Sequence, residues 1–146
     1  METNQNVGYL LHHISAMLAR NSDQVLLEQL GIGFSQFKIL LILDQSTGVQ
    51  QKVIANKLGQ TEASVSRQIK LLLDSGMLSS SVNPANRREH ITRLTPKGLK
   101  VIERSMEILN VHHAPVFARL NEKQQLQLQE LLNIVHDTMC SNGHNH

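Results

Sequence analysis

The spacing of apolar residues predicts a chain made mainly of helices. Between residues 7 and 29, apolar side chains recur every three or four positions, which places them on one helical face. They are Val7, Leu10, Leu11, Ile14, Met17 and Leu18. Gly31 and Gly33 end this predicted helix. The next segment, which begins at Phe34, is almost continuously apolar and predicts a helix buried on most sides, with Ser35 as its N-cap and Gly48 at its end.

Two short helices are predicted next, with about two residues between them. The first, QQKVIANKLG, ends at Gly59. Its inward residues are predicted to be Val53, Ile54 and Leu58. The second, EASVSRQIKLLLDSG, is capped by Thr61 and closed by Gly76, with an acid in its first turn. A linker of Gly59 and Gln60 has the length of the turn in a helix-turn-helix motif.

A β-hairpin and two further helices complete the predicted order. MLSSSV and EHITRLT resemble strands around the turn NPAN, with Arg87 and Arg88 at the hairpin tip. Thr95 is the predicted N-cap of a helix over 96–113, which Pro115 disturbs, and a last helix follows Asn121. The last helix carries more apolar residues than one solvated face requires: Leu126, Leu128, Leu131, Leu132, Val135 and Met139. The fold class is therefore mainly α, a winged helix-turn-helix over 34–100 flanked by long helices.

The second helix of the motif predicts two different faces. A helical wheel turns Val65, Ile69 and Leu72 inward, with Leu73 beside them. The opposite face carries Ala63, Ser66, Arg67 and Lys70. Small residues near the start of a helix permit close approach to a DNA major groove, while cations reach guanine edges or phosphates. An ordinary solvated surface is the alternative interpretation of the same face.

Charge is concentrated in the middle of the chain. The net charge is +2, but residues 51–100 hold nine Lys and Arg against three acids, whereas the remainder is net acidic. This distribution indicates an anionic partner for the middle segment, although chance clustering on a solvated surface fits too. A wing beside a recognition helix lies over a minor groove, where narrow width favours arginine, so Arg87 and Arg88 are candidate minor-groove residues.

Two compositional features bound the location of the protein. No apolar run approaches the roughly 18–20 residues of a membrane span, and the first residues lack the pattern of a secretion signal. The one cysteine, Cys140, cannot form an internal disulfide. We therefore expect a cytoplasmic protein without a membrane partner.

The run TEASVSRQIKLLLDSGML, followed by NPANRREHITRLTPKG, resembles the MarR (multiple antibiotic resistance regulator) family of bacterial transcription factors. The resemblance covers nearly the whole chain. It implies a homodimer built from residues 1–30 and 101–146, with the first, fifth and sixth helices intertwined. It further implies a repressor on a palindromic operator of double-stranded DNA, released by a small apolar or phenolic effector.

The resemblance also implies functional residues. The positions that match the family's DNA contacts are Gln60, Thr61, Ser64, Ser66, Arg67, Lys70, Arg87 and Arg88. For the effector, a pocket near His12, Met17 and Phe37 is a hypothesis, and such residues at helical spacing also fit an ordinary core. The wing departs from the family pattern Asp-Pro-x-Asp-Arg-Arg, because Asn83 and Asn86 replace both acids. Ser80 stands near the position of a frequent family arginine.

Other classes of function remain open on weaker signals. Eight histidines, including His12, His13, His112 and His113, raise the hypothesis of a zinc-responsive regulator, but no HExxH or CxxC spacing accompanies them, and no metal site or cofactor is predicted. No catalytic arrangement of Ser, His and Asp is recognised, so an enzyme is not expected. A winged-helix protein–protein module without DNA binding is the remaining alternative, against which the four helix and wing cations argue. A redox role for Cys140 has little support, since only His136 adjoins it.

Overall fold

A computed structural model describes residues 6–46 and 48–142 of the chain. These residues form six helices and one antiparallel hairpin, which confirms the predicted fold class. The elements are α1 Val7–Leu30, α2 Phe34–Gln45, α3 Gln51–Leu58, α4 Glu62–Asp74, β1 Leu78–Asn83, β2 Asn86–Leu94, α5 Pro96–Phe117 and α6 Glu122–Asn142. The chain divides into two compact units, and the boundary after Leu109 falls within α5.

The first unit is built around α2, which confirms the expected burial of that helix. Its central side chains Phe37, Ile39, Leu40 and Leu43 are buried with residues from α1, α3, α4 and α5. The N-cap prediction was wrong, because the N-cap of α2 is Gly33, two residues before Ser35, which lies inside the helix. The helix start is instead satisfied from two directions. The Gly33 N–H donates to Gln36 Oε1 at 3.1 Å, and the Phe34 N–H donates to Asp23 Oδ1 of α1 at 2.9 Å.

The helix-turn-helix forms as predicted. Gly59 follows α3 with φ +63°, a left-handed conformation that glycine adopts without steric cost, and the Gln60 N–H returns to the Ala55 carbonyl at 3.0 Å. One predicted inward residue was wrong, because the Val53 side chain is 42% exposed while Ala55 is buried. Ala55 and not Val53 flanks the inward Ile54 on this short helix.

Two boundaries differ from those predicted. Helix α2 stops at Gln45, before Gly48, because Ser46 is already extended. Helix α5 continues past residue 113 through Pro115 to Phe117. Proline removes one backbone donor, but the hydrogen bond from the Ala118 N–H to the Ala114 carbonyl, at 2.9 Å, resumes the pattern after it.

The second unit contains α6, in which no described residue is buried. Asn121 caps this helix reciprocally with Gln124: the Gln124 N–H donates to Asn121 Oδ1 at 2.9 Å, and the Asn121 N–H donates to Gln124 Oε1 at 3.0 Å. Its apolar side chains remain accessible, including Leu131 at 62%. In the first unit, Met17 of α1 is 48% exposed. Leu10 and Ile14, on the same predicted stripe, are exposed to a similar degree.

Among the residues described, no single helix is both long and apolar enough to cross a membrane. Only α1 and α2 taken together pass that test, by length and composition, and an 88° bend separates them.

Candidate nucleic-acid interface

Helix α4 presents the two faces that its sequence predicted. Val65, Ile69 and Leu72 are buried against the core, and Leu73 is half-buried. The opposite face carries Ala63, Ser66, Arg67 and Lys70, all exposed. Burial of the first face fixes the rotation of the helix about its axis. Arg67 and Lys70, on the second face, therefore point into solvent.

The start of α4 is fixed by a side-chain cap. Thr61 Oγ1 accepts a hydrogen bond from the Ser64 N–H at 3.1 Å. Glu62 lies in the first turn, where the helix dipole interacts favourably with a carboxylate. Thr61 and Ser66 are exposed, whereas Ser64 is half-buried. The predicted contact residues of the helix start are therefore brought together at one end of α4.

Gln60 has a different environment from the other predicted contact residues. Its side chain is half-buried in the turn, and its Nε2 donates to the Ser35 hydroxyl at the beginning of α2. Its Oε1 is buried and has no hydrogen-bond partner among the described residues. These contacts connect the turn of the motif to α2.

The wing contains a bulge that the sequence did not reveal. Val82 pairs with His90, but the next residue, Asn83, pairs with Asn86, so three residues of β2 have no Cα partner on β1. These unpaired residues are Arg87, Arg88 and Glu89. A bulge bends its strand and redirects its side chains. The hairpin tip is Pro84 and Ala85, which corrects the prediction that the arginines stand at the tip, because β2 already begins at Asn86.

The two asparagines of the wing both hold this bulge. Asn86 Oδ1 accepts the Arg88 N–H at 3.2 Å. Asn83 Oδ1 accepts the Ala85 N–H at 3.0 Å, while Asn83 Nδ2 donates to Glu89 Oε2 at 3.0 Å. The first two contacts need only an acceptor, which an aspartate also supplies. The third requires an amide donor.

Within the described residues, the cations of α4 and the wing are not neutralised by an acidic partner. In the described ranges, the ion pairs within 4.0 Å are Arg104–Glu107 and His136–Asp137. Arg67, Lys70, Arg87 and Arg88 take part in neither, and all four are exposed. Exposed cations of this kind remain available to an anionic partner.

The segment LTPKG leads from β2 into α5 and contacts the residues that follow α4. Thr95 Oγ1 accepts the Gly98 N–H at 3.1 Å, which confirms it as an N-cap, and its hydroxyl donates to the Gly76 carbonyl at 2.7 Å. Lys97 Nζ donates to the Ser75 carbonyl at 2.6 Å, at the end of α4 where a cation is favoured. The beginning of α5 is thus attached to the end of the candidate recognition helix.

The predicted effector residues do not share one surface in the single chain. Phe37 is 3% exposed and belongs to the core, where its ring stacks on Phe34 with centroids 6.0 Å apart. His12 and Met17 are exposed on α1. One hollow of the first unit lies elsewhere, between the end of α2 and the start of α5, and is lined by residues that include Leu43, Arg93 and Leu99.

The histidines and the cysteine show no metal-binding arrangement in the part of the chain that is described. No group of three or more His, Cys, Asp or Glu there is placed to hold a metal ion. His144 and His146 lie outside the described residues. Cys140 is exposed, with its Sγ 3.6 Å from His136 Nε2.

Two residues of this region were missed by sequence reasoning. Asp23 caps α2 from eleven residues away, and Glu89 accepts from Asn83 across the hairpin. A lone acid in a basic wing was the only sequence signal for Glu89, and it gave no partner.

Comparison with known proteins supports a regulator fold. A family model described as the MarR family matches residues 34–90. The HTH-type transcriptional repressor Rv2887 of Mycobacterium tuberculosis is 27% identical over 126 residues, which cover 86% of this chain and 90% of the relative.

Solved structures with the same fold cover nearly the whole chain. Rv2887 in complex with p-aminosalicylic acid has a TM-score of 0.78 at 24% identity, covering 90% of this chain and 98% of that one. The repressor CouR bound to a 23-mer DNA duplex has a TM-score of 0.75 at 24% identity, with 92% and 95% covered. A crystal structure of MarR has a TM-score of 0.82 at 19% identity, with 99% and 98% covered.

Proposed function

From the family model that matches residues 34–90, we propose that the chain is a member of the MarR family, a homodimeric repressor that binds a palindromic operator and is released by a small aromatic effector. The observation that carries the proposal is the exposed basic face of α4 beside a bulged wing with two unpaired arginines. One element suits a major groove and the other the adjacent minor groove.

The proposed DNA contacts follow from exposure and charge. Arg67 and Lys70 contact base edges or phosphates from α4, and Arg87 with Arg88 contacts the minor groove. Short polar side chains at the start of α4, Thr61, Ser64 and Ser66, permit close approach of the backbone. Gln60 has a supporting role in this proposal, because its amide already bonds Ser35.

A second copy of the chain is the proposed partner of the exposed apolar surface. Helix α6 carries Leu126, Leu131, Ile134 and Met139, each more than half exposed. Monomeric proteins rarely leave contiguous apolar patches of this kind in water, and two-fold dimers bury the same patch from both copies. A symmetric dimer then presents two α4 helices about one DNA turn apart, roughly 34 Å.

The proposed effector is a small aromatic acid. The supporting observation is that Rv2887 was solved with p-aminosalicylic acid and with salicylic acid. We assign His12, Met17 and Phe37 as candidate residues for this ligand. His12 and Met17, which are exposed on α1, would contact it directly. The proposal places the protein in the cytoplasm, with DNA, and gives it a binding function and no catalytic one.

Selection from a random double-stranded DNA pool tests this function. The wild-type protein is expected to enrich a two-fold symmetric site, and the double variant Arg67→Ala/Lys70→Ala is expected to enrich none. The matched control Arg104→Ala removes an exposed cation of α5 and should enrich the same site as wild type. Failure of the wild type to enrich any sequence would favour the alternative of a protein–protein module.

A further inference from the structure

The wing arginines have an acidic neighbour that works against them. Glu89 is the only acid between residues 78 and 95, and it follows Arg88 directly in the chain. A free carboxylate at this position has two unfavourable effects on DNA binding. It pairs with an adjacent guanidinium, and it repels phosphates.

The structure holds this carboxylate on a different partner. Glu89 Oε2 accepts from Asn83 Nδ2 at 3.0 Å, and both residues are half-buried while the arginines are exposed. Neither arginine forms an ion pair in the described residues, although Glu89 shares the bulge with them. The amide of Asn83 therefore has two simultaneous tasks: its oxygen closes the turn on Ala85, and its nitrogen retains Glu89.

We propose that Asn83 and Glu89 form a matched pair in which Asn83 is a positioning residue: it holds the Glu89 carboxylate on the β1 side of the bulge and thereby leaves Arg87 and Arg88 free for DNA. This inference rests on the proposed DNA-binding function and names a determinant of it.

The pairing explains why an amide occupies position 83. An aspartate there still accepts the Ala85 N–H, but it cannot donate to Glu89, and two carboxylates about 3 Å apart repel each other. Glu89 is then driven from β1 towards Arg88. The amide at 83 and the acid at 89 thus depend on each other, and a change at one is corrected by the matching change at the other.

The test is a double-mutant cycle on the full-length protein, with operator binding followed by fluorescence anisotropy. Asn83→Asp is expected to weaken binding roughly tenfold, the scale of one lost specific contact. Glu89→Gln alone should stay within about threefold of wild type, because glutamine still accepts from Asn83. Asn83→Asp/Glu89→Gln should also return to within about threefold of wild type, because the amide introduced at position 89 then donates to the carboxylate introduced at position 83.

A matched charge control separates pairing from simple electrostatics. Ser81→Asp adds the same negative charge to β1 two residues away, where the register places it opposite Ile91. Ser81→Asp should weaken DNA binding less than Asn83→Asp does. Adding Glu89→Gln to Ser81→Asp should improve DNA binding no more than Glu89→Gln improves it in the wild-type protein. If Glu89→Gln changes DNA affinity equally in the wild type, in Asn83→Asp and in Ser81→Asp, the pairing is overturned.

A measurement without DNA covers the contact itself. In NMR spectra of the free protein, the Asn83 side-chain amide protons should exchange more slowly than in Glu89→Ala, and equal exchange would overturn the inference.

Different results would overturn the proposed DNA-binding function and the Asn83–Glu89 pairing. If wild type and Arg88→Ala both bind no DNA, the DNA-binding function and this inference fall together. If wild type binds and Arg88→Ala does not, but Asn83→Asp binds as wild type, only the inference falls.

Discussion

Gly98, in the first turn of α5, lies directly against the backbone of Met77, which follows the end of α4. A Cβ atom on residue 98 would stand 2.2 Å from the Met77 carbonyl oxygen and 2.8 Å from Leu94 Cδ1. Backbone cannot yield as a flexible side chain does, so only glycine permits this approach. Together with the Thr95 and Lys97 contacts, it attaches the helix that continues into the second unit to the candidate recognition helix.

The first prediction concerns this contact. Gly98→Ala should lower the free energy of unfolding by about 1–3 kcal/mol, the usual cost of overpacking a tight site. Urea denaturation at fixed protein concentration measures it. Lys100→Ala, an exposed change on the same helix, should stay within about 0.5 kcal/mol of wild type. A Gly98→Ala protein as stable as wild type would show that α5 can move away from the Met77 backbone at little cost.

The cap of α4 gives a second prediction. Thr61→Ala removes the acceptor for the Ser64 N–H and should destabilise the protein by about 1 kcal/mol. Thr61→Ser retains the hydroxyl and should be close to wild type. Thermal denaturation of both variants provides the comparison, and indistinguishable midpoints would mean that the cap contributes nothing.

The wing arginine gives a third prediction. Arg88→Ala should weaken operator binding tenfold or more, in line with a lost contact of about 1–3 kcal/mol. Arg104→Ala removes the same charge from α5 and should change affinity little, since its guanidinium is paired with Glu107 at 2.9 Å. Equal affinities in a gel-shift titration of wild type and Arg88→Ala would exclude the wing from the interface.

Self-association gives a fourth prediction. Leu131→Glu places a charge on the exposed apolar surface of α6 and should convert the proposed dimer to monomer, because a dimer interface would have to bury that charge. Analytical ultracentrifugation measures the mass. Asn133→Asp adds the same charge at an exposed polar position on the opposite side of the same helix, so this variant should remain dimeric. A dimeric Leu131→Glu protein would place the interface elsewhere.

A fifth prediction follows from His113. Burial, followed by the neighbouring His112, holds the pKa of His113 below its ordinary value of 6.5. The unfolded chain therefore binds this proton more readily than the folded chain, and the free energy of unfolding should fall as the pH drops through that value. Denaturation between about pH 7.5 and about pH 5.5 measures the fall, and His113→Gln should reduce it.

Much of this fold was predictable because its determinants are local. Thr61 and Thr95 cap the helices that directly follow them, and Gly59 ends α3 within one turn, so short-range pattern was enough. The faces of α4 followed from the helical period alone. The errors came where a distant residue decides: Asp23 caps α2 from α1, so the serine that stood at the usual position was not needed.

The candidate site was predictable in its residues but not in its arrangement. Arg87 and Arg88 were identified from the wing sequence, whereas the bulge that contains them depends on the register between two strands. Replacement of both family acids by amides was visible in the sequence. Its consequence was not, because only the folded hairpin brings Asn83 to Glu89.

The most direct test of the central claim is fluorescence-anisotropy binding of the wild-type protein to the DNA immediately upstream of its own gene, compared with a scrambled duplex, over a series of salt concentrations. We predict tight binding to the upstream DNA, weak binding to the scrambled duplex, and an affinity that falls steeply with salt as phosphate contacts release counterions. Equally weak binding to both duplexes at every salt concentration would contradict it.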